Sequence, residues 1–233
     1  MVTPTLQSLL EKFFLVWLGR DRSVSANTVC AYRDAFKLLV TWFRDERGVA
    51  AADLALDHLT RESIQEFLAW LATSRGNCAR TVNCRLAALR SFCSFALYEV
   101  PDRSAQLSAV SSIPERRAQR REVDWLAPDE VGLMVSLLEG RPRDRLLVLL
   151  LYNTGCRVSE VVGLKGSDVR IKPGGRCDVH VVGKGRKERT LPLWKDTSSL
   201  LRAHMSDNGV GPGDYVFAGR GTEHMTRSGA RSV

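Results

Sequence analysis

The sequence of 233 residues contains no apolar run long enough to cross a membrane as a helix. Its first residues, Met1 to Gln7, lack the basic stretch and apolar core of a secretory signal. The six cysteines include no Cys-x-x-Cys pair of the kind that binds zinc. Several of them fall on apolar helical faces, where a reduced thiol behaves as a small hydrophobic group. These absences predict a protein of the reducing cytoplasm that has no metal site.

Acidic residues are too few to balance the basic ones, because 34 Lys+Arg against 26 Asp+Glu leave a net charge of +8. Residues 1–100 carry 12 basic and 10 acidic side chains, whereas the remainder carries 22 and 16. Basic clusters occur at 116–117, 120–121 and 184–189. Such clusters favour a polyanion as partner, since lysine and arginine on phosphates release counterions. A merely solvated basic surface is the alternative explanation.

The first hundred residues contain four segments with the apolar period of a helix. The first spans 5–18, and the second runs from a Ser25 N-cap to about Arg47. A third begins at a Thr60 cap, and the fourth runs from just after Asn77 to Tyr98. The pattern therefore predicts a compact four-helix bundle. Basic side chains on its exposed faces can contact phosphates or simply keep the bundle soluble.

Regular periodicity stops between Pro101 and Asp124, where Ser, Ala, Pro and Arg predominate, so this segment is predicted to be an interdomain linker. A helix resumes with Pro128 in its first turn and ends near 139–140. The run from Leu146 to Tyr152 is apolar nearly all round, which is typical of a helix covered on several sides.

Two β-branched segments, 177–182 and 189–193, predict a hairpin whose loop, 183–188, is strongly basic. A helix over 196–205, a brief strand over 215–217 and a helix start at 225–227 complete the prediction. An arginine placed just after the apolar helix, together with a lysine on a hairpin, suits a phosphodiester. The guanidinium can bind two non-bridging oxygens, and the ammonium can act as a point charge or proton donor.

One ordered set of motifs carries a resemblance to a known family. The run from Thr154 to Leu164, Thr-Gly-Cys-Arg-Val-Ser-Glu-Val-Val-Gly-Leu, is followed by Asp168 and then by Gly-Lys-Gly-Arg-Lys-Glu-Arg at 183–189. It resembles the tyrosine site-specific recombinases of the phage-integrase family. Residues 25–33 and 81–92 look like the core-binding domain of that family.

The resemblance implies a mainly α fold with two domains. Residues 1–100 would form a four-helix, SAM-like core-binding bundle that clamps DNA, and 101–124 would be the linker. Residues 125–233 would form the first part of an α+β catalytic domain with a small β-hairpin. The implied partners are double-stranded DNA and other recombinase protomers, because the family assembles tetramers on DNA. A cytoplasmic, nucleoid-associated protein of a mobile element is expected.

The family breaks and rejoins DNA through a tyrosyl phosphodiester, so the resemblance implies no nucleotide or metal cofactor. Arg157 would be the first arginine of the cationic cage, and Lys184 the general acid to the leaving 5′-oxygen. Glu160 would support this site. The implied DNA contacts are Arg80, Arg85, Arg90, Arg186 and Lys187.

The later motifs of the family are missing from the sequence. None of the four tyrosines fits the nucleophile, since Tyr32 and Tyr152 fall in apolar runs, Tyr98 closes a helix and Tyr215 belongs to a predicted strand. The segment His224-Met-Thr-Arg227 spells His-x-x-Arg but lies at a predicted helix entrance, so it is interpreted as a decoy. A truncated recombinase without its nucleophile is therefore expected.

Two functions from different classes remain open at this stage. The chain can be a fragment of a recombinase that has lost its chemistry. It can also be a catalytically dead DNA-binding protein that occupies recombination sites or regulates an intact recombinase. A helical protein without any DNA function is a third, which the ordered motifs disfavour.

Overall fold

The computed structural model describes residues 4–22, 24–119, 125–183, 187–219 and 223–233, together with Gly185 and Gly221. Lys184, Arg186 and the basic pair at 120–121 lie outside the described residues. The chain divides into two compact units, Met1–Glu122 and Val123–Val233. Each unit has a hydrophobic core of its own.

The first unit is entirely helical within its described residues. Its elements, in chain order, are α1 (Leu6–Lys12), a π-helix (Phe13–Asp21), α2 (Ala26–Arg47), α3 (Arg61–Thr73), α4 (Ala79–Glu99) and α5 (Ser104–Ser111), with short 3₁₀ turns at Leu56–His58 and Pro101–Arg103. The four segments predicted from sequence all contain helix. The predicted first helix, however, changes at Phe13 from α to π geometry and continues to Asp21.

Two helix starts were predicted from a single polar residue, and both are confirmed. The Ser25 side chain accepts the amide of Thr28 at 3.3 Å, and the Thr60 side chain accepts the amide of Ser63 at 3.2 Å. Each satisfies a backbone donor that the first turn of a helix leaves unpaired. Helix α2 ends at Gly48, whose φ of 66° is the left-handed conformation that glycine adopts without strain.

The first core extends beyond the four predicted helices. Leu107 and Val110 of α5, together with Ile113 just after it, are at most 3% exposed and belong to this core. The prediction that the whole of 101–124 is a linker was therefore wrong for residues 104–113. The small and polar residues of α5 dilute its apolar period, so its three buried side chains gave too weak a signal.

The second unit combines helices with a three-stranded antiparallel sheet of order β1–β2–β3. Its elements are α6 (Pro128–Ser136), α7 (Pro142–Thr154), α8 (Val158–Val162), β1 (Val169–Ile171), β2 (Cys177–Val182), β3 (Glu188–Pro192), α9 (Lys195–Asp207) and α10 (Arg227–Ala230). The predicted hairpin corresponds to β2 and β3. The mainly α fold with a small sheet is thus confirmed.

Two details of this unit differ from the sequence prediction. Strand β1 was missed because three residues are too few to show an alternating pattern. The predicted strand over 215–217 is not formed, since Tyr215 makes only an isolated bridge to Lys165. Phe217 is nevertheless fully buried in the core, which explains its apolar signal.

Helix α7 lies at the centre of the second core, as its composition predicts. Leu146, Leu147 and Leu150 are at most 1% exposed, and they share a core with the inward residues of β2. The rest of the helix is less covered, and Tyr152 is 41% exposed. Burial of this apolar face fixes α7, and with it the turn that follows, within the second core.

Candidate functional site

The turn between α7 and α8 places Arg157 at a helix start. Gly155 ends α7 with a φ of 60°, a conformation that lets the chain reverse without steric strain. The Thr154 hydroxyl accepts the Cys156 amide at 3.2 Å and so stabilises the turn. Arg157 is then the N-cap residue of α8 in an extended conformation, with its side chain 62% exposed. The turn therefore presents a guanidinium to solvent from a rigid base.

Glu160, three residues later, binds Arg157 twice. One carboxylate oxygen, Oε2, accepts the backbone amide of Arg157 at 2.9 Å, and Oε1 accepts its Nη1 at 2.8 Å. The first bond caps the helix, because it satisfies an amide that has no partner within α8. The second orients the guanidinium. Arg157 and Glu160, which the sequence placed at one site, are thus brought together.

Arg189 on β3 is a third member of this cluster, and the sequence analysis gave it no role of its own. Its Nη2 donates to Glu160 Oε2 at 2.6 Å and lies 3.6 Å from the Cys156 sulfur. Arg189 pairs across the hairpin with buried Val181, so its side chain lies on the inward face of the sheet. The strict alternation of a strand was the signal that could have revealed it.

The carboxylate at the centre is held in its charged form. Glu160 has a side chain only 7% exposed, and this burial opposes ionisation. Hydrogen bonds from Arg157 and the charges of Arg189 and Arg157 outweigh that effect and keep the pKa of Glu160 below its ordinary value. The cluster of two arginines and one carboxylate therefore keeps a net positive charge, as a phosphate site requires.

The base of the β2–β3 hairpin lies against the same carboxylate. A Cβ atom at Gly183 would come within 3.3 Å of Glu160 Oε1, so glycine allows this close approach. The Gly183 amide donates to the Lys187 carbonyl at 2.8 Å and closes the loop, and Lys187 is exposed. Lys184 and Arg186 stand in this loop but lie outside the described residues.

The remaining motif residues have structural surroundings. Asp168 accepts the Lys165 amide at 2.9 Å, which caps the short turn before β1. The Lys165 ammonium lies 5.2 Å from the centroid of the Tyr215 ring, and His224 packs edge-on against the same ring. His224 precedes α10, whose N-cap is Thr226. The His-x-x-Arg segment is thus at a helix entrance, where the sequence predicted it.

The three α4 arginines predicted to contact DNA differ in their surroundings. Arg80 is exposed. Arg85 is half-buried and donates to the Ala31 carbonyl of α2 at 2.9 Å. Arg90 donates to the Ile113 carbonyl and to Glu115 Oε1. Arg85 and Arg90 therefore hold the first unit together, which leaves fewer of their donors for a ligand.

Neither a metal cluster nor a membrane helix emerges from the part of the chain that the structure describes. No group of three or more His, Cys, Asp and Glu side chains among these residues is arranged to hold a metal ion. None of the helices in the described ranges combines the length and the apolar content that a membrane crossing requires.

Comparison with known proteins places both units in one family. Residues 124–233 match the model of the phage integrase family, and residues 12–99 match the phage integrase N-terminal SAM-like domain. A protein of Sinorhizobium fredii named "Putative integrase/recombinase y4rC" is 33% identical, over 97% of this chain and 69% of that protein. Tyrosine recombinase XerC of Xylella fastidiosa is 31% identical, over 92% of this chain and 70% of the relative.

Solved structures show the same fold at lower identity. The XerH site-specific recombinase bound to a palindromic difH substrate gives a TM-score of 0.67 at 21% identity, over 94% of this chain and 63% of that one. A lambda integrase dimer bound to a COC′ core site gives 0.67 at 21%, over 97% and 61%. The chain thus spans less than two thirds of the length of these two structures. Taken with the family models and the relatives, the site and fold establish that this chain belongs to the phage integrase family of tyrosine recombinases.

Proposed function

We propose that the chain binds double-stranded DNA as a tyrosine-type recombinase and that Arg157 and Lys184 act on a single phosphodiester. The observation that carries this proposal is the cluster of Arg157, Glu160 and Arg189 beside the base of the hairpin. A buried carboxylate that fixes an exposed guanidinium is a preorganised anion site. Preorganised donors stabilise charge that grows in a transition state without reorganisation at the moment of reaction.

In the proposed chemistry each residue has one role. Arg157 donates to the non-bridging oxygens of the scissile phosphate, and Glu160 orients Arg157. The lysine of the basic loop protonates the 5′-oxygen that leaves when a tyrosine hydroxyl forms the phosphodiester bond to the protein. Neither a nucleotide nor a metal ion is needed, because the phosphotyrosyl bond conserves the energy of the broken bond.

We propose that none of the four tyrosines of this chain is the nucleophile. Tyr32 stacks on Phe13 in the first unit, and Tyr98 packs against a tryptophan there. Tyr152 packs against Trp194, and the remaining tyrosine packs against Lys165 and His224. Each ring packs against a neighbouring side chain, although Tyr98 is 77% exposed and Tyr152 is 41% exposed, and on this proposal none of them attacks the phosphate bound by Arg157. These 233 residues alone would therefore bind DNA without cleaving it.

The proposed DNA contacts combine both units. Arg80 on α4 and Lys187 at the hairpin are exposed, and Arg186 belongs to the same basic loop. Arg85 and Arg90 would contribute less, because their guanidiniums already bind main-chain carbonyls. Related structures include a lambda integrase tetramer bound to a Holliday junction, so other protomers are proposed as partners. A cytoplasmic, nucleoid-associated location would follow from binding to DNA.

Binding is tested by titrating the full chain with a fluorescein-labelled duplex. Phosphate contacts should make the affinity fall steeply between low and moderate salt. Binding that is absent at low salt, or that does not respond to salt, would count against the proposal.

Cleavage is tested with a suicide substrate that carries a nick next to the scissile phosphate. The chain alone should give no covalent protein–DNA band on a denaturing gel. An adduct that disappears in Tyr215→Phe or Tyr152→Phe would identify a nucleophile in this chain and refute the proposed lack of cleavage.

A second candidate function follows if none of the four tyrosines is a nucleophile. A chain that binds DNA without cleaving it can occupy recombination sites or regulate an intact recombinase. Adding the chain to a cleaving recombinase on its own site distinguishes the two. Loss of that enzyme's product in proportion to added chain supports a regulator, and unchanged product counts against one.

A further inference from the structure

The buried carboxylate of Glu160 connects the turn before α8 with the β2–β3 hairpin, which lies far from it in sequence. It accepts two donors from Arg157 in the turn before α8 and one from Arg189 on β3, and Gly183 of the hairpin base packs against it. We propose that Arg189 is a positioning residue, which holds Glu160 so that the Arg157 guanidinium and the base of the β2–β3 hairpin keep a fixed spacing. This inference rests on the proposed function, in which Arg157 and the lysine of that hairpin act on one phosphate.

The hydrogen bond from Arg189 to Glu160 is the long-range contact of the cluster. The pair of Arg157 and Glu160 spans only three residues, so it orients a side chain within one turn. Arg189 and Glu160 are 29 residues apart, and their bond of 2.6 Å joins the sheet to the turn. The contact of Arg189 with the Cys156 sulfur at 3.6 Å fixes the same guanidinium against the turn a second time.

The burial of Glu160 explains why its position depends on the arginines that bind it. The Glu160 side chain is 7% exposed, whereas those of Arg157 and Arg189 are 62% and 44% exposed. A buried carboxylate has lost most of its contact with water and depends on its charged partners, so Arg189 holds Glu160 in place and Glu160 in turn orients Arg157. If Arg189 is removed, the carboxylate keeps only its local partner and the hairpin loses its polar tie to the turn.

Preorganisation is the reason such a tie matters for a phosphate site. Catalytic groups must be held within about 0.5 Å of their productive geometry, and side chains on a loop meet this only when neighbouring hydrogen bonds support them. The Gly183 amide, which closes the loop at 2.8 Å from the Lys187 carbonyl, is a reporter of that support within the described residues.

The test uses the full chain labelled uniformly with ¹⁵N and ¹³C and compares Arg189→Gln with Arg189→Lys. The glutamine variant should raise the pKa of Glu160, because a positive charge is lost beside it. It should also lower the order parameter of the Arg157 side chain and speed exchange of the Gly183 amide by up to about 5-fold. The lysine variant keeps one charged donor, so all three quantities should stay close to their wild-type values.

A matched control exists in the same sheet. Lys172 donates to Asp178 at 2.6 Å, and that carboxylate is 11% exposed, so the pair resembles the one between Arg189 and Glu160. Asp178 lies five residues before Gly183 on β2, which is about 16 Å along the strand. Lys172→Gln should therefore leave the Arg157 order parameter and the Gly183 exchange rate unchanged.

The inference fails if Arg189→Gln leaves Arg157 as ordered as in the wild type, or if Lys172→Gln loosens it equally. If the glutamine variant unfolds, the lysine variant decides alone, since it should keep both readouts close to wild type. None of these readouts requires DNA. A chain that does not bind DNA but shows the expected coupling would refute the proposed function and leave the positioning role in place.

Discussion

Replacing Leu107 with alanine tests whether α5 belongs to the first core or to a linker. Leu107 is 0% exposed and sits in the cluster formed by the other helices of the first unit. Truncating a fully buried leucine removes its transfer free energy and leaves a cavity, at a cost of about 2–5 kcal/mol. With a urea m-value of about 1–3 kcal/mol/M, this cost corresponds to a midpoint lowered by about 1–3 M.

The assay follows amide hydrogen exchange in α4 peptides of the full chain as urea increases. This readout reports the first unit alone, which matters because two units need not unfold together. Ser108→Ala on the same helix is the matched control. Ser108 is exposed, so its substitution should change stability by less than about 0.5 kcal/mol.

One outcome would refute the reasoning. If Leu107→Ala and Ser108→Ala have the same midpoint, α5 contributes nothing to the core and the sequence-based linker is correct. A large shift for Leu107→Ala alone places α5 in the first core.

Three further predictions address reactivity, pH dependence and the chain after α5. Iodoacetamide should modify Cys78 first and Cys93 last. A hydrogen bond with the Thr81 hydroxyl lowers the pKa of the Cys78 thiol, whereas burial raises the pKa of the Cys93 thiol to about 12. Peptide mass spectrometry after timed labelling checks the order. The pKa of Glu160 is depressed on folding, so its contribution is complete above about pH 4.3 and is lost as the pH falls through the folded value. Thermal unfolding should show the wild type more stable than Glu160→Gln at neutral pH, with the difference vanishing in acid; a constant difference would contradict the assignment. Asn83→Ala removes two hydrogen bonds, of 2.8 and 2.9 Å, to the main chain of Arg116, so trypsin should cut after Arg116 about 10-fold faster, and an unchanged rate would show that the segment is not held there.

Local chemistry explains which parts of the fold the sequence could predict. Ser25 and Thr60 cap helices through atoms three residues away, and Glu160 reaches Arg157 over the same spacing. Long helices such as α3 and α4 are also recognisable from the sequence, because their buried apolar residues repeat every three or four positions.

Contacts between residues far apart in the chain could not be predicted from the sequence. Arg189 on β3 meets Glu160 across 29 residues, and although strand alternation places its side chain on the inward face, no local pattern identifies Glu160 as its partner. Tyr215 looked like part of a strand because its neighbour Phe217 is buried, although only one bridge forms there. Arg90 was predicted to contact DNA, and nothing in the sequence indicated that it also binds the Ile113 carbonyl, on a segment that was predicted to be a linker.

The salt dependence of DNA binding by Arg157 variants tests the central proposal most directly. A phosphate contact contributes about 0.9 to the slope of log affinity against log salt, so Arg157→Gln should make that slope shallower by about 0.9 and weaken binding on every sequence. Arg143→Gln is the control, because Arg143 is 52% exposed in the same unit and also pairs with a carboxylate, that of Asp144, but is not among the proposed DNA contacts. A slope that changes for Arg157→Gln and not for Arg143→Gln is the predicted result. Equal slopes for wild type and Arg157→Gln would contradict the assignment of Arg157 to a phosphate.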